Sequence, residues 1–213
     1  MKSFHNEDRL EVGIDEAGRG CLFGRVYAAA VILPRNFQEE IGDKIILRDS
    51  KKVSKKNRKI LRKLIEEYAI DYKVAYSEHY EIDEYNIYQA TMNTMHRALD
   101  GLEIRPDLIL VDGNTFRKYK HKKDGEVNHK CIIKGDNIYK CIAAASILAK
   151  EHRDEYIEKL CEERPELKKY NIHHNMGYGA RAHMDAIREY GVVMGHRLTF
   201  GICKKTSLFT NKI

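Results

Sequence analysis

The chain has 213 residues, of which 43% are hydrophobic and 33% charged, with only three prolines. A chain of this size and composition can bury a sizeable core, which excludes a disordered or collagen-like protein. The net charge is +6, and the longest apolar run, Val26 to Leu33, is far too short to cross a membrane.

The cysteines and the N-terminal residues indicate the cellular compartment in which the protein is expected. The five cysteines, at positions 21, 131, 141, 161 and 203, form no Cys-x-x-Cys pair, which argues against a disulfide framework and a thiolate zinc site. The first twelve residues lack the apolar segment of a secretion signal and are too acidic for a transit peptide. We therefore expect a reduced, soluble, cytoplasmic protein.

Short apolar segments bounded by glycine, proline or polar residues predict the strands. They are Leu10–Asp15, Arg25–Leu33, Ile70–Ser77, Asp107–Asp112 and Cys131–Lys134. Ile45–Leu47 fits a strand or a turn equally well.

Apolar residues at helical spacing predict four helices. These run from the N-cap Ser54 to Tyr68, from Ile87 to Gly101, over Ile138–Leu160 and near Arg181–Tyr190. A polar, histidine-rich stretch follows Pro165, and the tail after the last helix reads as irregular. Since strands and helices alternate without a linker or repeat, we predict one α/β domain over residues 1–213, with a C-terminal helical extension from about residue 165.

Positive charge is concentrated in two runs. Lys44–Lys63 holds ten Lys or Arg against the single acid Asp49, and Arg117–Asp124 holds five against one. Such an excess is typical of a surface that contacts nucleic acid. A solvated helix face explains the same charges equally well.

Acidic residues also stand at the ends of predicted strands. Asp15 and Glu16 end the first strand, Asp112 ends the segment LILVD, and Asp136 follows a short strand and Gly135. Ligands of α/β sheets bind at such strand ends. Four carboxylates brought together would require a hard cation, so the pattern predicts Mg²⁺ or Mn²⁺ and two-metal phosphodiester chemistry. Turn or cap aspartates are the structural alternative.

Other catalytic motifs are missing from the sequence. The segment GRGCLFG matches neither phosphate-loop pattern, and there is no G-x-S-x-G, S-x-x-K or H-E-x-x-H. The residues His173, His174 and His183 read as surface or packing residues.

Seven sequence blocks, in order from about residue 10 to 200, resemble ribonuclease HII. They are Gly13–Gly20 (GIDEAGRG), Asp49–Lys52 (DSKK), Asp112-Gly113, Lys134–Asp136 (KGD), Ala143–Asp154 (AAASILAKEHRD), Gly177–Gly179 with His183, and His196-Arg197 with Phe200. The sequence departs from the family pattern at Cys21, Arg25, Ala180 and Val193–Gly195, none of which is a carboxylate. Because no substrate-binding domain precedes residue 10, we expect this family rather than ribonuclease HIII.

The resemblance implies an RNase H-like mixed sheet flanked by helices. It also implies cleavage of RNA in RNA–DNA hybrids and incision 5′ to single ribonucleotides in duplex DNA, leaving 3′-hydroxyl and 5′-phosphate ends. Asp15, Glu16, Asp112 and Asp136 would hold the metals. We expect a monomer whose partners are these nucleic acids.

The resemblance further assigns substrate contacts. Gly18, Arg19 and Gly20 would approach the ribonucleotide 2′-hydroxyl through their backbone, and Tyr178 would pack on that sugar. The groups that would hold phosphates are Ser50, Lys51, Ser146 and Lys150.

Each phosphate contact has a structural alternative. Lys51 would be one charge of a basic run, and Ser146 would bond within its own helix. Lys150 would pair with Asp154, and Arg153 would form a structural ion pair with that same aspartate.

Two other functions fit part of the sequence. One is a different nuclease on the same fold, which would share the carboxylates but not need the glycine pair or Tyr178. The other is a non-catalytic nucleic-acid-binding module that uses Lys44–Lys63 alone. A pure binder gains nothing from acids that face phosphate, so four strand-end carboxylates favour an enzyme.

Overall fold

A six-stranded mixed sheet forms the centre of the computed structural model, which describes residues 1–42, 45–48, 50–122 and 125–210. The strands are β1 (Glu11–Ala17), β2 (Val26–Ile32), β3 (Asp71–Ser77), β4 (Leu108–Asp112), β5 (Tyr119–His121) and β6 (Gly125–Ile132). They lie in the order β3-β2-β1-β4-β6-β5. The central pairs β1–β4 and β4–β6 are parallel, whereas β1–β2, β2–β3 and β5–β6 are antiparallel.

Helices cover both faces of this sheet and continue beyond it. They are α1 (Phe37–Ile41), α2 (Lys55–Tyr68), α3 (His79–Asp100), α4 (Lys140–Glu163), α5 (Ile172–Asn175), α6 (Arg181–Tyr190) and α7 (Gly201–Thr210). Three short 3₁₀ turns, Ser50–Lys52, Gly135–Asn137 and Pro165–Tyr170, connect them. This architecture confirms the predicted α/β class with helices after residue 165.

Several predicted boundaries were wrong. The C-terminal tail forms α7 rather than an irregular segment. Ile45–Leu47, which fitted a strand or a turn, is not a strand and begins with a bend. Strand β6 starts at Gly125 rather than Cys131, because its first half pairs with β5 at the sheet edge. Lysines and histidines on β5 and β6 hide the apolar alternation that marks a strand.

Helix α3 begins eight residues earlier than predicted. Its first turn closes a capping box between Glu78 and Glu81, and Asn86 interrupts it with a φ of 65°. The Asn86 side chain accepts hydrogen bonds from the backbone of Tyr88 and Gln89, so it caps the second part of α3. The helix predicted to begin at Ile87 therefore corresponds only to the second part of α3, after Asn86.

Two general expectations can be compared with the structure. All five cysteines are free thiols, which confirms the prediction that no disulfide framework exists. No helix within the described residues has the length and apolar character needed to span a lipid bilayer.

Alternation along β1 separates the two faces of the sheet. Val12 and Ile14 pack towards α3, beside Met92 and Met95. Because side chains alternate along a strand, the positions on either side of Ile14 face the other way, towards α4. The acidic end of β1 therefore places Asp15 on the α4 side.

Gly13 sets how closely α4 approaches β1. A Cβ atom built on Gly13 would lie 2.2 Å from the backbone carbon of Cys141 and 2.4 Å from the nitrogen of Ile142. Rotation of a side chain cannot relieve this overlap, since both contacted atoms belong to the backbone of α4. The glycine lets α4 lie directly on the strand that carries Asp15.

We predict that Gly13→Ala lowers the free energy of unfolding by more than about 3 kcal/mol, because α4 must move off the sheet. Gly20→Ala is the matched control, since nothing lies within 4 Å of a Cβ atom at Gly20. Urea unfolding of both variants measures the effect. Equal stability of the two variants would contradict the proposed role of Gly13.

Candidate active site

A cleft of about 240 Å³ opens where β1 and β4 end. It brings together ten of the twelve residues that the sequence proposed for the site: Asp15, Glu16, Gly18, Arg19, Gly20, Ser50, Asp112, Ser146, Lys150 and Tyr178. Ala17 completes the lining. Of the two others, Asp136 is buried in the turn beside the cleft, and the side chain of Lys51 lies outside the described part of the chain.

The parallel pairing of β1 and β4 brings the acids together. Ile14 pairs with Val111. The next residue on each strand is an acid, so Asp15 and Asp112 lie side by side at the same end of the two strands. The backbone N–H of Gly135 donates to Asp112 Oδ1 at 2.7 Å, which fixes the 3₁₀ turn that carries Asp136. Asp136 itself accepts a hydrogen bond from the Asn137 side chain at 2.8 Å.

Glu16 reaches the same cleft from the opposite side of β1. Its carboxylate forms an ion pair with Arg19 at 3.2 Å, and its backbone N–H donates to Asp15 Oδ1 at 2.7 Å. Both neighbouring acids line the cleft, although β1 continues through them to Ala17.

Burial raises the pKa of Asp15 well above its ordinary value, and the negative charges of Glu16 and Asp112 raise it further. Hydrogen bonds from the Ser146 hydroxyl and the Glu16 backbone act in the opposite direction. The ionised form of Asp15 therefore needs a positive charge close by.

The donor set fits a divalent cation. All four acids offer carboxylate oxygens, the ligands that Mg²⁺ and Mn²⁺ prefer, and the ionised form of Asp15 is disfavoured by burial and by the charges of Glu16 and Asp112. In their present arrangement, no three His, Cys, Asp or Glu side chains of the described residues converge on one point. Small side-chain rotations would have to complete the coordination.

The glycines before β2 have different roles. Gly18 has a φ of 93°, and a Cβ atom there would lie 2.2 Å from Arg153 Nε, so packing alone requires a glycine. Gly20 has open space where a Cβ atom would stand. The fold therefore explains Gly18 but not Gly20.

Two fully buried arginines hold the segment from Arg19 to Arg25. Arg197 donates to the carbonyl oxygens of Gly24, Arg19 and Arg25 at 2.9, 2.9 and 3.1 Å. Arg153 donates to the carbonyls of Arg25 and Phe23 at 3.2 and 3.3 Å. Burial lowers the pKa of Arg197 to about 10, which leaves it charged at neutral pH.

Sequence reasoning missed this role of the two arginines. The expected ion pair between Arg153 and Asp154 is wrong, because Arg153 donates to backbone carbonyls while Asp154 pairs with Lys150 and Arg58. Only the block His196-Arg197 signalled the importance of Arg197. A charged side chain without a nearby acid in sequence gives no local indication that it binds backbone.

Tyr178 lies across the cleft from the acids. Its backbone pairs with Cys21, and its ring lies 5.6 Å from the Arg153 guanidinium and 5.8 Å from Lys150 Nζ. The side chain is 41% exposed, while partial burial raises the pKa of its hydroxyl to about 12. The phenol therefore keeps its proton at neutral pH.

The predicted phosphate-binding residues have protein partners. Ser146 Oγ lies 3.0 Å from Ser50 Oγ, and the Ser146 hydroxyl favours the ionised form of Asp15 and so lowers its pKa. Lys150 donates to Asp154 Oδ1 at 2.6 Å, as its structural alternative expected. Lys150 still lines the cleft.

The basic run on α2 is partly neutralised within the protein. Arg58 pairs with Glu151 at 2.6 Å, Arg62 pairs with Glu155 at 2.8 Å, and Lys55 pairs with Glu158. All three acids lie on α4. Much of this charge therefore joins two helices, an explanation that neither sequence-based alternative included.

The mixed sheet, with acids at the ends of neighbouring parallel strands, defines a nuclease of the RNase H-like fold. A ribonuclease H2 from Pyrococcus horikoshii has the same fold, with a TM-score of 0.76, 25% identity, and 95% of this chain and 99% of that chain covered. A Bst ribonuclease HIII solved with Mn²⁺ has a TM-score of 0.67 and 20% identity, with 95% and 70% covered.

Sequence comparison narrows this class to one family. The family model Ribonuclease HII matches residues 12–205. A ribonuclease HII from Christiangramia forsetii is 50% identical over 200 residues, which cover 94% of each chain. The chain belongs to the ribonuclease HII family, as the sequence blocks predicted, and is a ribonuclease H-type hydrolase.

We predict that Arg197→Lys lowers the free energy of unfolding by about 2–4 kcal/mol, because a lysine cannot satisfy three buried carbonyls in the same geometry. Hydrogen exchange should accelerate first in residues 18–25. Arg188→Lys, an exposed change on α6, is the control. Unchanged exchange in residues 18–25 would show that Arg197 does not hold this segment.

Proposed function

We propose that this protein cleaves the RNA strand of RNA–DNA hybrids and incises duplex DNA 5′ to a single ribonucleotide, leaving 3′-hydroxyl and 5′-phosphate ends. It acts as a cytoplasmic monomer. The observation that carries this proposal is one cleft that combines strand-end acids with an open glycine and an exposed tyrosine. A general nuclease needs only the acids.

Asp15, Glu16, Asp112 and Asp136 are the residues that hold divalent metal ions in this proposal. When bound, the metals supply an activated water and stabilise the departing 3′-oxygen. Ser146 and the Gly135 backbone support this site by fixing the rotamers of Asp15 and Asp112. A ribonuclease HIII of the same fold was solved in complex with Mn²⁺, which supports a divalent metal in this proposal.

Recognition of the 2′-hydroxyl requires groups that touch the sugar, because an all-DNA duplex presents the same phosphates. Gly20 leaves room for a sugar to approach the backbone of the segment Gly18–Gly20. Tyr178 presents a flat ring with a protonated hydroxyl to the same space. These two elements select the ribonucleotide, and the acids cut beside it.

The neighbouring phosphates are held by Ser50, Lys51, Ser146 and Lys150 in this proposal. Lys150 must exchange Asp154 for phosphate, and the two serines contribute hydroxyls that already face each other at 3.0 Å. Phosphate contacts position a duplex without reading its bases. Cleavage should therefore depend little on sequence.

We predict that Asp15→Asn and Asp112→Asn each reduce cleavage of a labelled single-ribonucleotide duplex by at least about a thousandfold, because a neutral amide holds Mg²⁺ poorly. Asp136→Asn should be nearly as severe. Without metal, Asp15→Asn should be at least as stable as wild type, since it removes a buried charge that Glu16 and Asp112 repel. Near-normal rates at saturating Mg²⁺ would refute the assignment; exposed Asp8→Asn is the control.

We predict that Tyr178→Ala lowers single-turnover cleavage at one embedded ribonucleotide at least about tenfold, with a much smaller effect on duplex affinity. Tyr178→Phe should be milder if ring packing matters more than the hydroxyl. Gly20→Ala should also reduce cleavage, although it leaves folding unchanged, because its methyl group occupies the space for the sugar. Wild-type rates in Tyr178→Ala would make this tyrosine an ordinary surface residue.

A further inference from the structure

Two buried histidines lie behind the Tyr178 loop. His183 is on α6 and His196 precedes Arg197, and both side chains are at most 1% exposed. Their Nε2 atoms are 3.1 Å apart. Burial lowers the pKa of both rings, that of His196 to about 4, so both are neutral at neutral pH.

Hydrogen bonding determines which nitrogen carries the proton in each ring. His183 Nδ1 lies 2.9 Å from the Tyr178 carbonyl oxygen, which can only accept, so Nδ1 carries the proton. The neutral ring then has a lone pair on Nε2, and His196 Nε2 must donate to it. His196 Nδ1 lies 3.0 Å from both the backbone nitrogen and the carbonyl oxygen of Val193. With the proton of His196 on Nε2, Nδ1 accepts from the Val193 N–H.

These bonds form one directed chain from Val193 through His196 and His183 to the carbonyl of Tyr178. Rings on either side hold the histidines in place: Tyr170 lies 5.1 Å and Phe23 5.2 Å from His196, centroid to centroid, each edge to face. The positive charge of Arg164 also opposes a proton on His196. Burial and the neighbouring positive charge therefore both favour the neutral form of the two histidines.

The residue at the N-terminus of α6 makes the hydrogen-bond chain through the two histidines more important for holding Tyr178. Ala180 is the N-cap of α6 and has no side-chain oxygen with which to cap it. The Tyr178 carbonyl accepts hydrogen bonds from the Ala180 backbone N–H, at 2.8 Å, and from the His183 ring. His183 is thus the side chain that ties the first turn of α6 to the tyrosine loop.

We propose that His183 and His196 are positioning residues for the reaction: their fixed tautomers hold the backbone of Tyr178 so that its ring lies over the cleft. The proposal rests on the proposed role of Tyr178 in ribonucleotide recognition. Neither histidine lines the cleft, and His183 contacts the lining residue Tyr178 through its backbone carbonyl. They act through the carbonyl of the residue that does.

The first test needs no substrate. Long-range ¹H–¹⁵N NMR of the intact protein at pH 7.5 should show His183 protonated on Nδ1 and His196 on Nε2. The opposite tautomer in either ring, or a charged ring, would overturn the chain. This result stands independently of whether the protein cleaves ribonucleotides.

The second test compares His183→Asn with His183→Phe. An asparagine amide can still donate to the Tyr178 carbonyl, whereas phenylalanine fills the space without a donor. We expect His183→Phe to cut a single-ribonucleotide duplex at least about tenfold more slowly, with affinity within about threefold of wild type. His183→Asn should recover most of the rate, and exchange of the Ala180 amide should slow in parallel.

A second pair keeps the test decisive if His183→Phe does not fold. His196→Gln retains a donor at the Nε2 position, and His196→Met does not, so only the methionine variant should lose activity. His96→Gln, at a partly buried histidine bonded to the Arg117 carbonyl, is the control. Equal rates within both pairs would overturn the proposal. A wild-type protein that ignores ribonucleotides would instead refute the proposed function.

Discussion

Two buried guanidinium groups determine the geometry on which the site depends. Arg153 and Arg197 are fully buried, and both donate hydrogen bonds to main-chain carbonyls between Arg19 and Arg25. Five such bonds tie the two guanidinium groups to this segment and disfavour any other path for it, although Arg153 Nη1 has no hydrogen-bond partner among the described residues. The same segment bonds to Gly177 on one side and to Gly195 and Arg197 on the other. It therefore connects the acidic end of β1 with the tyrosine loop.

The sequence allowed the acidic half of the site to be predicted, because strand ends are local features. Apolar strands followed at once by Asp15 and Asp112 can be recognised without tertiary information, and parallel pairing then brings the acids together. Gly18, Gly20 and Tyr178 were placed only by the resemblance to ribonuclease HII. The structure adds a distinction that the motif cannot make: packing against Arg153 requires Gly18, whereas Gly20 faces open space.

Features that depend on distant partners could not be predicted. The basic run of α2 looked like a nucleic-acid surface because its partners, Glu151 and Glu155, lie more than ninety residues away on α4. Strand β5 is an edge strand whose charged residues face solvent, so it shows no apolar pattern. His183 was correctly read as a packing residue, but its directed bond to Tyr178 depends on a fold that places residue 196 beside it.

The central claim is that the acids and the ribose-recognising elements act on the same nucleotide. The most direct measurement compares two labelled duplexes that differ by one 2′-hydroxyl, under single-turnover conditions with Mg²⁺, and maps the cut at nucleotide resolution. The account predicts one cut, at the phosphate 5′ to the ribonucleotide, and no cut in the all-DNA duplex. Cleavage of both duplexes at similar rates, or cuts spread over several positions, would contradict it.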